Sequence, residues 1–226
     1  RDPPDADRAR ALRGDEVTMT SAVSTRISTI GALIREPALL AVPEFQRDYS
    51  WTLTEVEQLW DDVELLRTEG RKEHFMGAIV LNAQDNDRKF VVDGQQRLAT
   101  TMTLLSTLRA KSREHGDNEA AEELQRRFGE KDLSTRKVRP KLQLNEHDDK
   151  FFQDWVVKEK AFSEIKGKLA EKHLPESHRL ILRAFVFLHG KLSDLMPTQA
   201  KFAKTCPFIV DVLDKYLTIV KIEVTT

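Results

Sequence analysis

Phe90-Val91-Val92-Asp93-Gly94-Gln95-Gln96-Arg97-Leu98 decides how this chain is read. A short apolar run, the mark of a strand, stops at an Asp-Gly pair, and a helical spacing of Leu98, Met102, Leu105 and Leu108 begins at once. Glycine at such a corner lets the backbone turn sharply or approach a ligand, and the first turn of a helix carries unpaired N–H groups and a partial positive charge. Phosphate suits that environment, and Arg97 adds a permanent forked cation one turn in. On this reading Gly94 and Gln95 bind nucleotide phosphate, while Asp93, Gln96 and Arg97 are catalytic. Asp93 would orient Mg²⁺ or a water, Gln96 would supply a neutral hydrogen bond, and Arg97 would stabilise charge moving to the leaving group.

Upstream, Val42-Pro43-Glu44-Phe45-Gln46-Arg47-Asp48-Tyr49-Ser50-Trp51 crowds apolar, amide, guanidinium and aromatic groups into ten residues. Such a stretch suits a binding loop, so Gln46, Arg47 and Tyr49 are taken as further nucleotide contacts and Trp51 as a core residue. Strand alternation sends one of Gln46 and Arg47 toward the site and the other away, without saying which.

Together with His74-Phe75-Met76-Gly77-Ala78-Ile79, these motifs resemble, in order and spacing, the N-terminal domain family of GmrSD-type, modification-dependent restriction enzymes. The likeness runs from about Ile27 onward and is densest between Val42 and Leu108. It implies a ParB/sulfiredoxin-like fold, binding and hydrolysis of a nucleoside triphosphate with GTP preferred, and a role in bacterial defence against foreign DNA. Some relatives sense phosphorothioate-modified DNA. The resemblance also implies further C-terminal elements, an effector domain among them, so these 226 residues are expected to be a fragment. A noncatalytic ParB-like module that holds nucleotide or DNA backbone without turnover is the alternative.

Composition sets the outer limits. The net charge is -1 with both signs abundant, so no global basic field recommends nonspecific DNA binding. The single cysteine, Cys206, excludes an intramolecular disulfide framework. It also lies far from the phosphate corner, which removes a sulfiredoxin-like thiol chemistry. No stretch approaches the roughly 18 apolar residues of a membrane span, and no leader is evident, so a cytoplasmic protein is expected. Neither a His-Asn-His cluster nor an acidic pair specifying two metals is present, and nuclease activity is not expected here.

The expected fold class is α+β: a small mixed sheet with helices over residues 19–115, then a mainly helical region over 116–226 that ends in a strand at Tyr216–Val224. Residues 1–18 read as a disordered leader. Within the first part, Ser28–Arg35 reads as a short helix and Leu39–Val42 as a strand. Thr54 caps a helix of about four turns, and Phe75–Asn82 and Lys89–Val92 form a hairpin about Asp85-Asn86-Asp87. The second part holds a short strand at Arg139–Leu144 and helices at Asp148–Val157, Ser177–Leu195 and Thr198–Leu213. His74 is read as a structural hydrogen-bonder. Asn145, His147, Asp148 and Asp149 form a polar cluster with no second histidine at ligand spacing, and Asp148 is read as a helix cap rather than a metal ligand. Arg126-Arg127 and Arg136-Lys137-Arg139-Lys141 are basic enough to touch DNA backbone, though a solvated helical face is the better reading of each.

Overall fold

The computed structural model describes residues 22–70, 73–83, 87–131 and 138–225. The expected leader, and the loop residues Asp85, Asn86, Arg136 and Lys137, lie outside them. The architecture is α+β: a mixed six-stranded sheet and a group of helices.

The chain enters on β1 (Ala22–Thr29), a strand the sequence reading did not anticipate because its Ser, Thr and Arg residues show no apolar alternation. It turns through α1 (Ile30–Arg35), capped by the Thr29 side chain, into β2 (Leu39–Ala41). Helix α2 (Leu53–Glu69) starts two residues earlier than expected: its cap is Thr52, not Thr54. Thr52 and Glu55 form a reciprocal capping box that satisfies two helix-end donors. Strands β3 (His74–Ala83) and β4 (Arg88–Asp93) form the expected hairpin and lead into α3 (Gln95–Glu114).

After α4 (Asn118–Gln125), β5 (Gly129–Lys131) and β6 (Val138–Pro140) make a separate two-stranded ladder, and β7 (Leu142–Gln143) returns to the sheet beside β2. Helices α5 (Glu146–Phe152), α6 (Phe162–Leu169), α7 (Glu176–Leu195) and α8 (Gln199–Asp211) follow, α5 and α8 each ending in a widened π turn. The last strand, β8 (Leu217–Thr225), inserts between β1 and β3, giving the order β1-β8-β3-β4-β2-β7. Residues 116–226 therefore supply two sheet strands as well as helices, and β8 is an interior strand rather than an appendage.

Helix α3 runs through the middle of the helical layer against α4, α7 and α8. It is buried almost all round, although its sequence is rich in Thr and Ser. Several of the hydroxyls are accommodated by donating to their own helix: Thr100 to Gln96 O at 2.8 Å, Thr103 to Ala99 O at 2.9 Å and Ser112 to Leu108 O at 3.0 Å. Arg109, also buried, lies over the Phe128 ring and donates to the Val156 and Val157 carbonyls at the end of the α5 turn. Burial pushes its pKa down to about 10.

One charged cluster sits inside the sheet layer. Lys221 of β8 is fully buried and, with Lys89, is paired to Glu36 and Glu223. Burial alone would raise both carboxyl groups, but hydrogen bonds from the lysines outweigh it and hold them below the ordinary glutamate value of 4.5. A depressed folded-state pKa gives stability that is present above the unfolded value and lost as pH falls through the folded one. Unfolding free energy should therefore decline below about pH 4.5, and Glu36→Gln should flatten that decline in a denaturant series across pH.

Candidate functional site

The sheet presents its irregularities where β3, β4 and α3 meet. Val80 pairs with Asp93 but Leu81 pairs with Val91, so Val92 is an extra residue on β4 without a partner on β3. Its carbonyl is taken instead by Gln46 Nε2 at 3.0 Å. Gly94 then adopts φ 95°, a left-handed conformation, and a side chain there would bring a Cβ to 2.8 Å from Ile79 Cγ1. No side chain caps α3, so Asp93 is not the helix cap that an ordinary strand-to-helix turn would make of it. The helix start is left open, and Asp93 is exposed beside it.

Gln46, Arg47, Trp51, Val92, Asp93, Gly94, Gln95, Gln96 and Arg97 line one open cleft of about 140 Å³. Arg97 donates to Ala78 O at 3.1 Å, and its guanidinium lies over Gly77, where φ is 109° and an added Cβ would stand 3.1 Å from Arg97 Cζ. The β3–β8 register also shifts between Phe75 and Ala78, so a second bulge at Met76-Gly77 opens the space that the arginine occupies. Neither Arg97 nor Arg47 forms an ion pair among the described residues, and neither does Asp93. Gln46 and Arg47 both line the cleft, where alternation had allowed only one.

The two glutamines are occupied differently from expectation. Gln95 Nε2 donates to Arg47 O at 3.1 Å; Gln96 Nε2 donates to Asp48 O at 3.1 Å while its Oε1 accepts from Ser50 N at 3.0 Å. Both amides thus clamp the 46–51 loop onto the first turn of α3. Gln96, expected from sequence to be catalytic, thus lines the cleft with both ends of its amide engaged by the loop.

Tyr49, expected as a nucleotide contact, lies behind the cleft. Its ring is buried, its hydroxyl is 2.8 Å from Thr100 Oγ1, and it does not line the cleft, whereas Trp51, expected in the core, packs partly on the core and partly on the cleft wall. Burial pushes the phenol pKa up. Tyr49→Phe should cost about 1 kcal/mol in denaturant unfolding and leave nucleotide affinity within about twofold of wild type.

Behind the loop, Asn145 caps α5, donating to Gln46 O and to Asp48 Oδ1; Asp148, read from sequence as the cap, instead sits buried in the first turn and accepts from Tyr49 N and Ser177 Oγ, both at 2.6 Å. A second histidine, His178, arrives here from α7, a neighbour that no local spacing reveals. Burial lowers its pKa. His74 pairs with Asp62, as a structural histidine would. Of the basic candidates, Arg126 pairs with Glu123, and Arg127 is buried in a two-pronged pair with Asp214.

An α+β domain built around a strand-to-helix corner of the kind that suits an anion is what these elements define. The chain belongs to the family described as GmrSD restriction endonuclease, N-terminal domain, which matches residues 30–226. It is thus an N-terminal module of the restriction-enzyme type. No curated protein matches it. No helix among the described residues is long and apolar enough to cross a membrane.

Proposed function

We propose that the cleft binds the triphosphate of a nucleoside triphosphate and hydrolyses its terminal phosphate, in a module that couples this turnover to recognition of modified or foreign DNA. The observation that carries the reading is the convergence, in one open cleft, of an uncapped α3 start, two guanidinium groups without acidic partners and an exposed carboxylate. Among the described residues Asp93 is the one carboxylate lining that cleft, which fits a magnesium ion shared with phosphate oxygens. Such an ion would neutralise charge on the β- and γ-phosphates. Water attacks the terminal phosphorus, its bond to the bridging oxygen breaks, and Arg97 stabilises the charge left on that oxygen. Arg47 holds phosphate from the opposite wall, and Gln46, Gln95 and Gln96 keep the loop that carries it in place.

GTP preference and an effector domain beyond this segment follow from the family resemblance, as does a part in phage restriction. The protein should bind GTP with Mg²⁺ in a titration and release phosphate, with modified DNA changing the rate. Saturable binding without phosphate release would support the noncatalytic module instead, and no binding up to about 1 mM, a weak affinity even for a single small ligand, would end both.

A further inference from the structure

We propose that His147, Asp148 and His178, joined by Asp48, form a site for one divalent transition metal ion of zinc-like character, separate from the nucleotide cleft. The four side chains come from three parts of the chain: His147 and Asp148 from the first turn of α5, His178 from the first turn of α7 and Asp48 from the clamped loop. His147 Nδ1, a carboxylate oxygen of Asp148 and a ring nitrogen of His178 lie within 4.8 Å of one another. His147 Nδ1 is 3.1 Å from Asp48 Oδ2 and 3.4 Å from Asp148 Oδ1, and His178 Nε2 is 3.5 Å from that same oxygen. Ligand atoms bonded at about 2.0–2.1 Å to a tetrahedral zinc stand roughly 3.3 Å apart. The 3.4 and 3.5 Å separations exceed ordinary N–H···O bonds, so the imidazoles and the carboxylate converge without satisfying one another.

The supporting groups are those a ligand set needs. Asp148 is held by the Tyr49 N–H and the Ser177 hydroxyl, which fix its oxygens without neutralising them. The His178 ring stacks on Phe151 with 4.0 Å between centroids and 5° between planes, and on His147 at 5.1 Å. Its Nε2 lies 3.2 Å from His147 O, a contact that metal ligation would replace. Two imidazole nitrogens and carboxylate oxygen select zinc, cobalt or nickel over magnesium, which takes oxygen donors. Bound there, the ion would tie the loop at Asp48 to α5 and α7, reinforcing the fastenings made by Gln95, Gln96, Asn145 and Asp148.

Protein stripped with a chelator and titrated with Zn²⁺ against a chromophoric competitor should take up one equivalent with a Kd of about 1 μM or tighter. Co²⁺ should give the intense visible absorption of a tetrahedral centre. His147→Ala and His178→Ala should each weaken binding at least tenfold, and His173→Ala, an exposed histidine outside the cluster, should not. Asp148 is left intact because it also holds Tyr49 and Ser177. Should His178→Ala fail to fold, the half-exposed His147 decides alone. Less than half an equivalent of zinc, a weak octahedral cobalt spectrum, or unchanged affinity in the histidine variants would overturn the site. These readouts need no nucleotide, so they stand or fall apart from the hydrolytic reading.

Discussion

Arg97→Ala is expected to lower phosphate release from a nucleoside triphosphate by about a thousandfold, close to 4 kcal/mol of transition-state stabilisation. The side chain reaches the cleft over Gly77 with one N–H given to Ala78 O, and no carboxylate among the described residues neutralises it. A charge so placed acts most strongly where negative charge develops, so the rate should fall further than ground-state affinity. Arg97→Lys keeps the charge but not the planar fork and should recover only a small part of the rate. The structural cost is small by comparison, one hydrogen bond or about 1 kcal/mol, so a thermal scan separates lost chemistry from lost folding. Turnover equal to wild type in a well-folded Arg97→Ala protein would remove the arginine from the mechanism.

Gly94→Ala should be the most damaging single methyl group near the site, costing about 2–4 kcal/mol in denaturant unfolding. Two penalties coincide. A left-handed φ of 95° disfavours any side chain, and the new Cβ would meet Ile79 Cγ1 at 2.8 Å in a packed strand that has no room to yield. Gly116→Ala is the internal comparison: its φ of 74° carries the backbone penalty alone, with nothing within 4 Å, and about 1 kcal/mol is expected. Equal effects at the two positions would show that packing against Ile79 does not matter.

The corner itself was legible because its signals are local. A strand period ending at Asp93-Gly94 and a helix period starting at Gln95 need no distant partner to be read, and the buried Leu98, Met102, Leu105 and Leu108 stand where the spacing put them. The cap of α2 was displaced by two residues because Thr52 and Thr54 both offer a hydroxyl; Glu55, three residues beyond Thr52, was the signal that distinguishes them. What could not be read was set by contacts across the chain. Tyr49 is drawn into the core because Thr100, brought up by α3, stands beside the tyrosine hydroxyl. Gln96 looks catalytic from its motif and is spent on Asp48 and Ser50. His178 stands some thirty residues from His147, and only the packing of α7 on α5 makes them neighbours. Strand β1 was invisible for a different reason: at the sheet's edge it buries little, so nothing imposes an apolar alternation on it.

Placing β8 between β1 and β3 fixes when this protein becomes itself. His74 of β3 finds its partner in Leu217, so the strand that fills the gap is made long after its neighbours. Until then both flanking strands offer bare backbone to whatever passes, and the bulge at Gly77 that seats Arg97 has no neighbour to define it. The cleft is therefore complete only once β8 is in place, its nine residues closing a sheet begun by β1.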